Sequence, residues 1–486
     1  MDCERLGKRY NKGEDILSRL PDDVLSHIFS RLEAKDAVKT SVLSSRFKDV
    51  WTLIYNLRFE FTRVGYEGNR GTSFANFVES VLRHCQSNII QNFHGTYYYL
   101  LESEVACLTE LICFVVGRNV CSLKLKFDVL VLRPMIRLPQ SILTCKSLVR
   151  LSLGFCDFVL DIPDCMVCFP CLKFLSIFVN SPNSNLMQKL FRSCPILEEL
   201  KIKGYRIENE DVLTFDINVP TLKKLKVYLR GHREDEYDDI SEHKFVVRAR
   251  NLEYLNVCNY FLACFVLGET PFLNKVILDT KDSTRFSVQP PNNEETKRTA
   301  EFFRAISSTR FLSLDNILIS ELYHDRYGTL PSFPNLIYLC LGVDIPSGFA
   351  PVVQFLINSP NLEVLVLGKE YVYDKDEVVL PELECVPSCM SLHLKEIYLF
   401  SVVTYGQGLE VIKWLLENSK VLERFSFHTT LESIEDEQEM ENEILNLPRA
   451  SPICEIELGL YCGGKKMLQS EFHICRESFC NAAFRL

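Results

Sequence analysis

The chain has 486 residues, of which 47% are hydrophobic and 24% charged, a balance that excludes a mainly disordered polypeptide. Its 54 Lys and Arg stand against 64 Asp and Glu, a net charge of −10. That opposes a chain-wide nucleic-acid footprint but leaves room for a local basic patch. No apolar run approaches the ~18–20 residues of a membrane span, and the first fifteen residues lack the apolar stretch of a secretory signal. Without such a signal, the 20 cysteines are expected to be reduced thiols that pack as small hydrophobes, in an intracellular protein of the nucleus and/or cytoplasm.

Residues 15–54 carry the first organised pattern. Leu17, Leu20, Val24, Leu25, Ile28, Phe29 and Leu32 recur at helical spacing. Pro21 suits a first helical position, and Asp22 and Asp23 put negative charge near the positive end of that helix. Asp36 is expected to cap a second helix reaching Leu43, and Ser44 a third carrying Phe47, Val50, Trp51 and Ile54. Three helices in so few residues can hardly bury their apolar side chains alone, so some of that surface must face another body. From the residues alone, that body is either the rest of the chain or a partner.

The run Leu20-Pro21-Asp22-Asp23-Val24-Leu25, then Lys35-Asp36-Ala37-Val38, Ser41 to Phe47 and Trp51-Thr52 closely resembles the plant F-box. The resemblance implies docking onto a SKP-type adaptor, and through it onto the cullin and RING subunits of a ubiquitin ligase. It places Leu20, Pro21, Leu25, Ile28, Val42 and Leu43 at or under the adaptor interface. Phe47 stands where that family usually has Trp, which implies weaker packing with docking retained.

Beyond residue 119 the pattern Leu-x-x-Leu-x-Leu recurs eleven times, first as Val120-Leu123-Leu125 and last as Leu422-Phe425-Phe427. The first five copies start at 120, 148, 172, 197 and 222, within the ~20–29-residue period of leucine-rich repeats. Each copy offers a short strand that cannot close a core alone, whereas stacked copies can. Helix-like segments over Leu186–Arg192, Val352–Ile357 and Leu409–Leu416 precede some copies, and a degenerate copy is expected near Phe311-Leu312-Leu314. From Pro381 to Pro452 the chain resembles the FBD region of plant F-box/LRR/FBD proteins, read physically as further strand–helix units that cap the last apolar layer. The expected fold is α/β: a three-helix F-box over 15–54 behind an extension over 1–14, then a linker or degenerate repeats over 55–119. A leucine-rich-repeat solenoid follows over 120–374, an FBD region with the last repeats over 375–458, and a terminal segment over 459–486. Arg230–His243, Lys281–Thr299 and Glu435–Glu443 are each read as a loop, solvated as a loop or as a helix face.

No phosphate-binding loop, dinucleotide fingerprint, zinc-protease motif or nucleophile elbow is present. Cys165, Cys168 and Cys171, with Cys156 upstream, have a metal-like spacing. Cys171 directly precedes a repeat leucine, however, so packing is the expected role, and His473, Cys475 and Cys480 form a weaker group. No catalytic residue, metal or cofactor is assigned. In the first five copies the third, fifth and seventh pattern positions, which face the concave side in leucine-rich repeats, include seven basic residues among fifteen: Lys124, Lys126, Arg150, Lys201, Lys203, Lys224 and Lys226. Later copies put Tyr254, Tyr338, Val364, Val366, Tyr398 and Phe400 there. A solvated row of lysines would explain the first set. The functional alternative is a client face for acidic or phosphorylated segments. The resemblance thus implies a non-catalytic substrate receptor of an SKP–cullin–F-box ligase with an unidentified client. Its alternatives are a leucine-rich interaction scaffold, or a receptor that needs a small anion and does not drive degradation.

Overall fold

A computed structural model describes residues 17–61, 79–81, 83–97, 105–127, 135–154, 157–159, 168–179, 184–205, 214–230, 244–258, 265–279, 293–315, 330–342, 345–368, 386–400, 407–431 and 434–462. Of the three segments read as loops, residues 231–243 and 281–292 lie outside these, as does the segment 463–486. The chain divides into two compact units, Met1–Leu172 and Lys173–Leu486.

The first unit begins with a 3-10 turn, Leu17–Arg19, and helices Asp22–Phe29, Ala34–Lys39 and Phe47–Val50. Further 3-10 turns follow the last two, at Thr40–Val42 and Trp51–Leu53. Three boundaries differ from the sequence reading. Pro21 precedes the first helical residue. Asp36 lies inside the second helix, where its carboxylate pairs with Lys39 at 2.8 Å, so it caps nothing. Ser44 accepts the Phe47 amide through its main-chain carbonyl, not its hydroxyl. Leu25, Phe29, Ala34, Ala37, Phe47 and Val50 form the core of this module. Phe47 meets Phe29 edge to face with 5.3 Å between ring centroids, a favourable aromatic geometry that fits the smaller ring.

Four parallel strands follow in this unit: Asn56–Phe61, Asn92–Tyr97, Ser122–Phe127 and Arg150–Gly154, each in register with the next. Among the described residues, 55–119 therefore contribute two strands to the sheet, with helix Val105–Gly117 following the second. That helix contains the chain's most apolar run, and Leu108, Leu111, Ile112 and Val115 are buried in the unit. No described helix is long and apolar enough to cross a membrane.

In the second unit the parallel sheet runs through Phe174–Val179, Glu199–Tyr205, Lys224–Arg230, Tyr254–Cys258, Lys275–Asp279 and Phe311–Leu314. It continues through Tyr338–Gly342, Val364–Gly368, Glu396–Phe400, Arg424–Leu431 and Glu455–Cys462. Alternation along each strand sends one set of side chains inward. Leu200, Leu225, Leu255, Val276, Leu312, Leu339, Leu365, Ile397 and Phe425 form one fully buried row. At roughly 1.5–3 kcal/mol for each such side chain, this row is a major source of stability.

Strand entry follows one rule up to the last described strand, where Glu423 O takes the Glu455 amide and the preceding Cys454 amide turns to Ser451 O. Up to there, a single carbonyl in each repeat accepts two successive amides of the next: Glu198 O takes Lys223 N at 2.8 Å and Lys224 N at 3.0 Å, and Lys395 O takes Glu423 N and Arg424 N likewise. In the first unit Tyr55 O, Gln91 O and Cys121 O do the same. Helices Ser184–Arg192, Ile345–Asn358 and Gln407–Asn418 lie where helical periodicity places them. Part of the expected Lys281–Thr299 loop is instead helix Asn293–Ala305, held by buried Phe302 and Phe303. A smaller parallel sheet of Thr214–Asn218, Lys244–Arg248 and Phe265–Leu267 stacks Phe215, Phe245 and Phe265 at 4.6 and 4.8 Å. Helix Ile434–Leu445 carries the acidic run, with Met440 and Ile444 on its buried side.

Gly95 occupies a core position in register with Phe59 and Leu125. A Cβ there would stand 2.6–2.9 Å from the ring of Tyr97, which is itself fully buried. The tyrosine therefore fills the volume that a leucine fills in other repeats. Gly95→Ala is expected to lower stability by about 1–3 kcal/mol through overpacking, read as an earlier urea transition. An unchanged transition would show that the ring has room to yield.

Candidate functional site

Two sets of residues matter: one in the helical module of the first unit, and one of basic residues with members in each unit. In the helical module, the turn Thr40–Val42 ends the second helix and leaves Val42 85% and Leu43 76% exposed. Adjacent apolar side chains this open are uncommon on a finished surface and mark an interaction site. Val24 and Leu32 add exposed apolar area, Pro21 is exposed, and Leu20 and Ile28 are half-buried. Leu25 is 0% exposed, so among the expected adaptor residues it supports the surface from beneath and cannot touch a partner.

The sequence reading missed the clamp that fixes this surface. Three residues after Leu43, Arg46 reaches back to the start of the first helix. Its Nε donates to Asp22 Oδ1 at 2.8 Å and its Nη2 donates to the Leu20 carbonyl at 2.5 Å. One guanidinium thereby ties the Val42–Leu43 turn to the Leu20–Pro21 corner, a fork geometry that Arg supplies and Lys does not. Ser30 and His27 anchor the module to the strand that follows. The Ser30 hydroxyl accepts the Tyr55 amide at 3.2 Å, and the His27 ring bonds the Tyr55 hydroxyl.

The second set lies on the sheet faces opposite the apolar core. In the first unit Lys124, Lys126 and Arg150 stand on adjacent strands, with Lys124 and Arg150 exposed and Lys126 half-buried. In the second unit Lys201 is in register with Lys226, and Glu199 with Lys224, while Lys203 faces Tyr228. All four lysines are half-buried. Lys226 pairs with Glu199 at 3.1 Å, and its ammonium lies 5.5 Å from the ring centroid of Tyr254. Lys201 sits 4.7 Å over Tyr228. Burial, and then the charges of Lys203 and Lys226, push the Lys201 ammonium down to about 8, since each disfavours the charged form.

Toward the C-terminal repeats the outer face differs from the sequence reading. Tyr254, Ile277, Phe311, Tyr338, Cys340, Val366, Tyr398 and Phe400 form a buried apolar cluster. They pack across strands, as where Phe311 stacks on Tyr338 at 4.6 Å, and are not an open aromatic surface. Lys275 is buried among them, 4.3 Å over the Phe311 ring. The half-buried basic stretch around Lys201 and Lys226 lies before this cluster on the same face, and exposed Arg424, Glu455 and Glu457 lie beyond it.

Cys145, Cys194, Cys389 and Cys454 are buried. Burial pushes the Cys389 thiol up to about 12, and its Sγ donates to the Leu356 carbonyl at 3.3 Å. Such a thiol is an inert packing group. Cys156 and Cys165 lie outside the described residues, as do His473, Cys475 and Cys480. Cys168 is buried and Cys171 half-buried. Among the described residues no three potential ligands gather around a metal position.

With this geometry in view, comparison with known proteins shows what the chain is similar to. Residues 17–59 match the F-box domain, and residues 112–265 match the LRR repeats of FBD-associated F-box protein At5g56370. F-box and leucine-rich-repeat matches together support an F-box substrate-recognition adaptor family, whose members are in general non-catalytic, and the F-box in general binds SKP1-type adaptors. Among relatives from Arabidopsis thaliana, the putative F-box/FBD/LRR-repeat protein At5g22670 is 29% identical, with 92% of this chain and 98% of the relative covered. The putative F-box/FBD/LRR-repeat protein At5g44960 is 27% identical, over 91% and 98%. FBD-associated F-box protein At5g22730 is 27% identical, over 93% and 95%. The resemblance read from the F-box, repeat and FBD motifs is thus borne out along most of the chain.

The crowded Lys201 gives a stability prediction. Between about pH 8 and 10.5 the unfolded chain keeps the proton that the folded chain has lost, so stability contributed at this site rises with pH across that window. The stability difference between the native chain and Lys201→Gln is expected to shift in favour of the native residue as pH rises from 8 to 10. A flat difference in paired thermal-unfolding series would show that Lys201 is not crowded.

Proposed function

We propose that this chain is the substrate-recognition subunit of an SKP–cullin–F-box ubiquitin ligase in the nucleus or cytoplasm. The observation that carries the reading is the exposure of Val42 and Leu43 in a segment matching the F-box, on a turn clamped by Arg46. Leu20, Pro21, Ile28, Val42 and Leu43 contact the SKP-type adaptor, and Leu25 supports them from the core. The adaptor joins the cullin and RING subunits. The client is a protein segment held on the outer sheet faces, by Lys124, Lys126 and Arg150 in the first unit and Lys201, Lys203, Lys224 and Lys226 in the second. Chemistry stays with the partners. Holding a client lysine near an activated ubiquitin conjugate makes their reaction effectively unimolecular, which lowers the barrier by several kcal/mol without a catalytic residue here.

The adaptor reading is tested by co-expressing the full chain with a SKP-type adaptor and cullin. Val42→Asp/Leu43→Asp is expected to abolish recovery of the complex at an unchanged melting temperature, because both side chains are already in solvent. Leu25→Ala is expected to lower the melting temperature, since truncating a buried Leu costs about 2–5 kcal/mol. Retained recovery by the Val42/Leu43 variant would exclude this surface. For the client, proteasome inhibition is expected to lengthen the lifetime of proteins captured by the native chain. Changing Lys201, Lys203, Lys224 and Lys226 together to Ala is expected to reduce that capture at least tenfold, and undiminished capture would remove these lysines from the client face.

A further inference from the structure

The first unit holds a second basic constellation that the repeat pattern did not reveal. Strands Asn56–Phe61, Asn92–Tyr97 and Ser122–Phe127 pair so that Arg58, His94 and Lys124 lie in one register row on the outer face. Arg58 and Lys124 are exposed, and His94 is half-buried between them. Parallel strands lie about 4.8 Å apart, so both long cationic side chains can converge above the imidazole. The next row along the strands is Glu60, Thr96 and Lys126, which adds one anion, one cation and a half-buried hydroxyl.

We propose that Arg58, His94 and Lys124 form an oxyanion site that takes a phosphate group. The charge balance selects phosphate. The groups facing His94 are Arg58, Lys124, Lys126 and Glu60, three cations and one anion, which leave two positive charges around a ring that is neutral at pH 7. A phosphate monoester carries about −1.5 to −2 at that pH, with three acceptor oxygens for guanidinium, ammonium and imidazole donors. A single carboxylate would leave one cation uncompensated. Partial burial and then the charges of Lys124 and Arg58 hold His94 down at about 4. A phosphate seated on it cancels most of that positive charge, so the imidazole takes up a proton more readily when the site is filled. The site stands whether or not the helical module recruits an adaptor. The phosphate can come from a phosphorylated side chain or from a free phosphate ester.

The test is a pH titration of the full chain labelled in its histidine rings and followed by NMR, with His94→Gln assigning the resonance among nine histidines. Inorganic phosphate, a phosphoserine peptide and the same peptide unphosphorylated are compared at matched chloride ionic strength. Phosphate or the phosphopeptide is expected to raise the His94 midpoint by about one unit or more, as a new adjacent anion does, while the unphosphorylated peptide leaves it in place. Arg58→Gln/Lys124→Gln is expected to raise the ligand-free midpoint toward 6.5 and to remove the ligand-induced rise. Lys146→Gln/Lys420→Gln, at exposed positions outside both basic sets, is expected to keep that rise. A rise produced by the phosphopeptide at concentrations at least tenfold below inorganic phosphate identifies a modified protein as the source. Equal concentrations identify a free ester. A midpoint unmoved by both, or moved equally by the unphosphorylated peptide, overturns the site.

Discussion

Parallel, in-register pairing is the constraint on which the rest of this structure depends. Up to the last described strand, each repeat hands one carbonyl to two amides of the next, as Glu198 O does to Lys223 and Lys224, so none of these strands can slip by one residue without reversing its faces. Whatever stands at a given repeat position then stands beside its equivalents on both neighbours. For the inner positions this is wholly favourable: Leu200, Leu225 and Leu255 each land on an apolar neighbour. For the outer positions the same rule forces charges into rows at about 4.8 Å spacing, and their order along the row becomes a matter of stability.

That order is not uniform. One outer row of the second unit reads Glu199, Lys224, Tyr254, Lys275, Phe311, Tyr338, Val364, Glu396, Arg424 and Glu455. Every cation there is flanked by an acid or by an aromatic face, and the Tyr398 hydroxyl bridges Glu396 and Arg424 at 2.7 and 3.4 Å. The adjoining row breaks the rule by placing Lys201 directly beside Lys226. Glu199 relieves Lys226, and Tyr228 receives Lys201, yet Lys201 is still pushed toward neutrality. Like charges held side by side at a cost to stability, within a fold that elsewhere separates them, are the form expected of a surface kept for an acidic partner.

The sequence made much of this legible because its strongest signal is one-dimensional. The Leu-x-x-Leu-x-Leu spacing depends on nearest neighbours alone, so the strands of the long sheet from Ser122 to Leu431 could be read without knowing one another, whereas the small sheet of Thr214–Asn218, Lys244–Arg248 and Phe265–Leu267 lies outside that pattern. The strand Asn92–Tyr97 was hidden because Gly95 takes the leucine position and Tyr97 folds into the space, a compensation no spacing rule anticipates. With that strand hidden, Arg58 and His94 could not be aligned with Lys124. The Arg46–Asp22 clamp was hidden for a similar reason: it joins residues far apart in sequence, and an isolated Arg carries no pattern. Burial of Tyr338, Tyr398 and Phe400 was likewise out of reach, because outer-face exposure depends on the packing of whole rows and not on alternation within one strand.

The two faces of function rest on opposite physical choices. The helical module keeps Val42 and Leu43 in water, although leaving each large apolar side chain exposed forgoes roughly 1.5–3 kcal/mol of burial. It can do so because Arg46, Phe29 and Phe47 hold the fold without them. Such a surface gains its burial when a partner of matching shape arrives, and a rigid turn loses little entropy in that step. The sheet faces hold charge instead, where contacts are individually weak and act only as a set. An apolar dock and a polar one are the two surfaces that the proposed receptor needs, the first to bind an adaptor by burial and the second to select a client by charge.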